Sequence, residues 1–163
     1  MDKKRLSAFE RVVRRAHLFS DEEVKLGPVE HPFEIRNIHT ALPEHIKKLF
    51  DNGHYSQATF EAFTYLDKEV ARISKISQSG SKLMMAAFHD QSPAIALSDL
   101  STDSGKDEQK GYMFIFSGSV MAVRNPRGHE YKIRDSIDEC LDHLALVSLL
   151  LRRIEKAGYS IEN

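Results

Sequence analysis

Apolar residues recur at three- and four-residue steps through the last part of the chain, which is the pattern of a helix with one buried face. Ser136 and Glu139 stand three positions apart at its start and form the pair of a capping box, and Gly158 provides an end. The sequence therefore predicts one long final helix whose apolar face must lie in a core. That face consists of Ile137, Cys140, Leu141, Leu144, Val147, Ser148 and Leu151.

Four earlier segments show the same helical period, and no pair of segments reads as a β-hairpin. We predict helices over 3–17, from Pro43 to Asn52-Gly53, from Ser56 to about Ile76, and from Leu83 to near His89. Residues 20–32 have the composition of a long loop, and residues 90–108 that of an exposed acidic loop with a disordered tip. Within it, residues 93–100 fit either a turn of helix or a short extended piece. The expected fold class is all-α, an up-and-down bundle of about five or six helices.

Residues 108–123 are apolar nearly all round, so a buried strand and a central helix are both compatible with them. We favour the helix, because the neighbouring segments have helical period and because Ser117-Gly118-Ser119 would let another helix approach closely.

Composition restricts the class of protein. The chain has 163 residues, enough for one core, and we expect a basic helix and loop over 1–30 and a helical domain over 31–163. Lys and Arg number 23 against 24 Asp and Glu, which excludes a polycation that binds nucleic acid through its overall charge. The single cysteine, Cys140, cannot form an intramolecular disulfide, and no stretch is apolar for long enough to span a membrane. We therefore expect a cytoplasmic protein with no membrane partner.

Two local patches are basic, one in the first fifteen residues and one over 124–134. The second contains an arginine, Arg124, followed by the polar Asn125 and, five positions after the arginine, His129. RNA carries its own nucleophile in the 2′-hydroxyl beside each phosphate, so a histidine that exchanges protons near neutral pH and an arginine that grips the phosphate suffice for cleavage. The pattern predicts His129 as general acid or base, Arg124 as phosphate ligand, and Asn125 as a group that orients the histidine or contacts the phosphate.

The remaining cations of this patch, Arg127, Lys132 and Arg134, are candidates for RNA or phosphate binding. Such a reaction requires no metal and no cofactor. Because one histidine is few for a reaction that needs both an acid and a base, a symmetric homodimer that joins two copies of the motif is expected.

This motif, at the end of an internal helix in a small helical protein, resembles the signature of the HEPN superfamily of ribonuclease and nucleotide-binding domains. The chain is also similar, over roughly 31–155, to the uncharacterised bacterial Ymh family. The resemblance implies a dimeric bundle, metal-independent cleavage that leaves a cyclic phosphate, and a role beside an antitoxin or another phage-defence protein. It supports Arg124, Asn125 and His129, and adds His54 and Tyr55 as accessory candidates. Its segments are Asn52 to Tyr55, Ala58, Glu61 to Phe63, Gly111 to Gly118, Arg124 to Glu130 and Ser148 to Leu150.

Other readings of the same residues are open at this stage. The motif could be an ordinary helix end in which Arg124 caps carbonyls and His129 is a surface side chain. A catalytically silent module that binds RNA, a nucleotide or a protein partner would use the same cleft, and a purely structural protein would use neither residue. The other seven histidines do not form the close pairs that metal sites on helices need, and the sequence has no glycine-rich phosphate loop.

Overall fold

The computed structural model describes residues 30–130 and 132–162. The regular secondary structure in that part of the chain is helical, without strands, which confirms the all-α prediction. The elements are α1 (Pro32–Ile35), α2 (Glu44–Asp51), α3 (Tyr55–Ser74), α4 (Gly80–Ala87), α5 (Asp103–Ser119), a π-helical turn (Val120–Arg124), α6 (Asn125–His129) and α7 (Ile137–Lys156).

The two longest helices, α3 and α7, form the centre of the core. They present the apolar faces that their sequences predict, and each fully buried leucine or phenylalanine contributes roughly 1.5–3 kcal/mol. The capping box of α7 is present: Glu139 N donates to Ser136 Oγ at 3.2 Å, and Ser136 N donates to Glu139 Oε2 at 2.8 Å. The largest fully buried side chains are Phe63, Phe88, Phe116, Ile46, Leu66, Leu83, Met84, Ile95, Leu144, Leu150, Leu151 and Ile154.

The predicted bounds of α2, α3 and α7 agree with the structure to within two residues. Helix α4 begins at Gly80, which the sequence indicates only as a break, and the four-residue α1 is not predicted. The helix predicted over 3–17 lies outside the described residues, as does most of the loop predicted over 20–32. The boundary expected near residue 30 stays a prediction.

The exposed acidic loop predicted over 90–108 is found only in part, because residues 103–108 belong to α5 and residues 90–102 are exposed or half-buried except at a few buried positions. Ile95 and Leu97 are buried in the core, although no regular element forms there. The fully buried side chain of Gln109 ties this segment to α5: its Oε1 accepts from Leu97 N at 2.7 Å, and its Nε2 donates to the carbonyls of Phe88 and Ile95 at 3.0 and 3.1 Å. Because most residues of this segment are polar, its composition does not reveal that the buried amide of Gln109 holds it against the core.

Helix α5 confirms the helix favoured over a strand for 108–123, but it begins at Asp103, five residues earlier than predicted. Thr102 caps it by accepting a hydrogen bond from Gly105 N at 3.0 Å. Gly105 is packed so closely that a Cβ atom there would lie 1.9 Å from the carbonyl oxygen of Asp99. No helix in the described part of the chain is both long enough and apolar enough to cross a membrane.

Gly105→Ala should destabilise the protein, because the new methyl group would collide with a backbone oxygen and force the start of α5 to shift. We expect the free energy of unfolding to fall by about 1–3 kcal/mol, measured by urea denaturation. The matched control is Gly111→Ala on the same helix, where a Cβ atom meets nothing within 4 Å. That change should be neutral or stabilise by up to about 1 kcal/mol, since alanine favours helix over glycine. Equal effects of the two changes would contradict the packing described here.

Candidate functional site

Pro126 and Gly128 are residues that favour a sharp break after Arg124, but the helix continues through the segment from Arg124 to His129. The chain passes from α5 through the π-helical turn into α6, which ends only at His129. The N–H of Asn125 donates to the carbonyl of Val120, five residues earlier, so the helix widens before the proline. Pro126 then stands in the first turn of α6, where a missing N–H costs little. Single π turns inside helices are frequent at functional sites.

Arg124, the last residue of the π turn, directs its side chain toward α3 and α4. Its guanidinium carbon lies 5.8 Å from the centre of the Phe60 ring. Its Nη1 lies 3.8 Å from the position that a Cβ atom at Gly80 would occupy. The Nε atom is buried without a hydrogen-bond partner, and Arg124 forms no ion pair with any described residue. The structure thus leaves a half-buried positive charge unpaired.

Arg127 has the opposite environment. Its Nε and Nη2 donate to the two carboxylate oxygens of Asp135 at 2.9 and 2.5 Å, and its Nη1 donates to the carbonyl of Val123 at 2.7 Å. Thr59 Oγ1 on α3 donates to the same carboxylate at 2.8 Å. The Asp135 side chain is only 2% exposed and that of Arg127 10% exposed. The guanidinium of Arg127 is therefore engaged within the fold and fastens α6 to the residues that precede α7.

These contacts determine the ionisation of the cluster. Burial by itself would raise the pKa of Asp135, but the hydrogen bonds from Arg127 and Thr59 outweigh it and hold that pKa below its ordinary value. Burial and the nearby Arg127 lower the pKa of His143, whose Nδ1 lies 3.7 Å from the Asp135 carboxylate. Burial raises the pKa of the Cys140 thiol to about 11, which makes this cysteine inert as a nucleophile.

Asn125 and His129 share one side of α6, because they are four residues apart. Asn125 is half-buried, and His129 is exposed at the end of the helix. Arg124 and His129 are five helical steps apart, which corresponds to about 140° around the axis. The arginine and the histidine of one chain therefore point to different sides of the helix.

A shallow groove of about 280 Å³ runs beside α6, between this helix and the beginning of α3. The ring of Phe60 forms one wall, and its Cε2 lies 3.0 Å from the position of a Cβ atom at Gly128, so a larger residue at 128 would press on the ring. Ser56 anchors the far end: its Oγ accepts from Asp135 N at 2.7 Å and donates to the carbonyl of Ile133 at 3.1 Å. The groove is lined by Ser56, Gln57, Phe60, Arg127, Gly128, Glu130 and Ile133.

The other candidates lie around this centre. Lys132 and Arg134 are exposed in the connection between α6 and α7. His54 is exposed and immediately precedes α3, while the ring of Tyr55 packs at 5.3 Å from that of Phe50. No hydrogen bond, ion pair or ring contact joins either of these two residues to Arg124 or His129 within the described chain. In the same residues no group of three or more His, Cys, Asp or Glu side chains could hold a metal ion.

Sequence reasoning missed Asp135 and Phe60. Asp135 lies one position after the basic patch over 124–134 and one before the capping-box serine, so neither pattern includes it. Phe60 interrupts a polar side of α3, where a lone aromatic residue gives no periodic signal. Both become recognisable only when α3 and α6 are brought together.

Asp135→Asn should destabilise the fold and remove part of its acid sensitivity. Breaking a buried ion pair leaves Arg127 uncompensated and should lower the free energy of unfolding by about 3 kcal/mol at neutral pH. Since the folded-state pKa of Asp135 is lowered, its stabilising effect is complete above the ordinary aspartate pKa of about 4 and is lost as the pH falls through the folded-state value. Urea denaturation at pH 7 and at pH 3 measures both effects.

The matched control for this change is Asp107→Asn, at an exposed aspartate of α5. It removes the same charge and should shift the free energy of unfolding by no more than about 0.5 kcal/mol. If the two variants had equal stability at pH 7, the Arg127–Asp135 pair would not be an anchor.

Comparison with known proteins gives a family but no activity. No curated protein and no solved structure matches the chain. One family model does, over residues 36–154, and its description is "Protein of unknown function (Hypoth_ymh)". The match includes α2 to α6 and nearly all of α7, and with them every residue of the site described above. The chain therefore belongs to the Hypoth_ymh family.

Proposed function

We propose that this protein is a metal-independent endoribonuclease that acts as a homodimer, with Arg124, Asn125 and His129 of both chains in one composite site. The fold would be of the HEPN type, and the setting a toxin–antitoxin or phage-defence system. The attacking group would be the 2′-hydroxyl of the RNA itself, and the product a cyclic phosphate. The proposal rests on the chemistry of three side chains and on one feature of the structure.

That feature is the unpaired guanidinium of Arg124. Burying a charge without a partner is unfavourable, and proteins usually pair such groups. Arg127, three residues later, shows the usual solution in its bidentate pair with Asp135. Arg124 has no hydrogen-bond acceptor at Nε and no ion pair among the described residues. A phosphate, which accepts two parallel hydrogen bonds from one guanidinium, supplies the missing anion.

His129 is suited to the proton transfers, because it is exposed and lies beside Asn125 on one side of α6. It lies about 140° from the arginine of its own chain around the helix axis. A site with both groups on one phosphate is therefore assembled more easily from Arg124 of one chain and His129 of another. This geometry supports a composite site over one formed by a single chain.

A surface suited to a second copy lies next to these residues. Met85 of α4 and Phe114 and Ile115 of α5 are 38%, 54% and 46% exposed, and Met121 of the π turn is 57% exposed. We call these four residues the α4/α5 surface. Met85, Phe114 and Met121 line one shared groove, and contiguous exposed apolar side chains mark interaction sites. Met121, Asn125 and His129 follow one another at four-residue steps. A two-fold contact on this surface would therefore bring the two His129 side chains toward the interface between the copies.

Arg124→Ala and His129→Ala should each reduce RNA cleavage by about 100-fold or more, because one removes the phosphate ligand and the other the proton-transfer group. The measurement is the cleavage of single-stranded RNA in the presence of EDTA, with circular dichroism and thermal unfolding to show an intact fold. His45→Ala is the matched control, since His45 is also an exposed histidine. Full activity in either site variant would refute the assignment, and RNA binding without products from the wild type would favour the silent binding module.

Mixing the two inactive variants distinguishes a composite site from two independent ones. If Arg124 of one chain acts with His129 of the other, each dimer contains two such pairs within the composite site. Half of the randomly formed dimers then keep one intact pair, so about a quarter of the wild-type activity should return. If each chain contained a complete site, every chain in the mixture would be damaged and activity would stay at the level of the single variants.

Met121→Glu should convert the dimer to a monomer, because it places a charge on the α4/α5 surface. We expect the mass from analytical ultracentrifugation to halve and RNA cleavage to fall at least tenfold, with an unchanged circular dichroism spectrum. Leu149→Glu is the control, because Leu149 is 52% exposed on α7 and lies outside this surface. A Met121→Glu variant that is still dimeric would exclude this surface as the interface.

A further inference from the structure

The groove beside α6 has a feature that the proposed cleavage chemistry does not use. One wall is the half-exposed ring of Phe60, which also contacts the guanidinium of Arg124 at 5.8 Å. A strand whose phosphate is held by Arg124 would therefore have an aromatic surface within one nucleotide of that phosphate. Aromatic side chains next to a cation are the usual stacking partners of unpaired bases.

The size of the groove restricts what could enter it. Its volume of about 280 Å³ lies below the roughly 300–1,000 Å³ of sites that enclose drug-sized ligands. One planar nucleobase fits such a space, whereas a folded peptide segment does not. The absence of a side chain at Gly128 leaves room for the Phe60 ring, because a Cβ atom there would lie 3.0 Å from its Cε2.

Glu130 gives the groove a chemical preference. Its side chain is exposed at the edge of the groove, and no described residue donates a hydrogen bond to its carboxylate. It is also the acidic residue of a segment, 124–134, that otherwise carries Arg124, Arg127, Lys132 and Arg134. A carboxylate close to an RNA backbone is unfavourable unless it accepts hydrogen bonds. Guanine offers two parallel donors, N1–H and the 2-amino group, that match the two oxygens of a carboxylate.

We infer that this groove is a nucleobase subsite that selects guanine next to the cleaved phosphate. Phe60 stacks on the base, and Glu130 accepts from its N1–H and 2-amino groups, while Arg124 holds the adjacent phosphate. Adenine and cytosine each offer only one amino group, and uracil presents one N–H between two carbonyl oxygens that the carboxylate repels. The inference rests on the proposed function and adds a substrate preference to it.

The test uses oligodeoxynucleotides that contain one ribonucleotide, so that only one phosphate can be cleaved. The base on either side of that phosphate is varied through all four, and cleavage by the full-length protein is followed in EDTA. We expect guanine at one of the two positions to be preferred about tenfold or more. Glu130→Gln should abolish the preference without abolishing cleavage, whereas Glu34→Gln, at an exposed glutamate of α1, should leave it unchanged.

The stacking role has its own readout. Phe60→Ala should weaken binding of a non-cleavable 2′-O-methyl oligonucleotide by about tenfold, and Phe60→Trp should retain it. Thermal unfolding of both variants shows whether a loss arises from the fold, and the tryptophan variant keeps the test valid if the alanine variant is unstable. Binding that does not change in Phe60→Ala, or a guanine preference that persists in Glu130→Gln, would overturn the subsite.

Failure of the subsite and failure of the nuclease assignment give different results. A wild-type protein that cleaves all base combinations at one rate overturns the subsite alone. A wild-type protein that neither cleaves nor binds any of these oligonucleotides overturns the nuclease and, with it, the subsite.

Discussion

The buried ion pair between Arg127 and Asp135 holds the candidate site in place. Helix α6 is the last five residues of the helix that continues from α5 through the π-helical turn, and side-chain contacts fix this end to the rest of the fold. Asp135 is bound from two directions, by Arg127 of α6 and by Thr59 of α3. Ser56 adds a third connection through Asp135 N and the carbonyl of Ile133. Arg127 thus fixes the motif to the fold, and Arg124 is left available for an anion that the described residues do not supply.

The π-helical turn explains how one continuous helix can carry both groups. A proline in the interior of an α-helix removes a hydrogen bond and collides with the preceding turn. Here the bond from Asn125 N to the carbonyl of Val120 widens the helix just before Pro126, so the chain continues to His129 without a sharp break. The arginine then faces α3 and α4, and the histidine lies about 140° away from it around the helix axis. The angle between the arginine and the histidine is therefore set by the helix backbone and not by a loop.

Periodicity was a sufficient guide to the long helices, because each of them buries one regular stripe. It failed where a single side chain overrides composition. The polar segment 88–102 is held against the core by Gln109, and α5 starts early because Thr102 caps it and Gly105 permits contact with Asp99. The candidate site shows the same division. Arg124, Asn125 and His129 are found by spacing, whereas Asp135 and Phe60 come from other segments and are recognised only through α3.

A silent RNA-binding module and a nuclease would use Arg124 in the same way. A nuclease and a silent module that binds RNA or a nucleotide would both use the unpaired Arg124 to bind an anion, and both are compatible with Phe60 beside it. Only cleavage requires a proton-transfer group, and the histidine that could supply it is exposed and lies on a different side of the helix from its own chain's arginine. Under the proposed function, each chain would therefore hold RNA with its own Arg124 and Phe60 and cleave RNA held by the other chain. Loss of the dimer would then reduce cleavage far more than RNA binding, because binding uses groups of one chain and proton transfer uses groups of two.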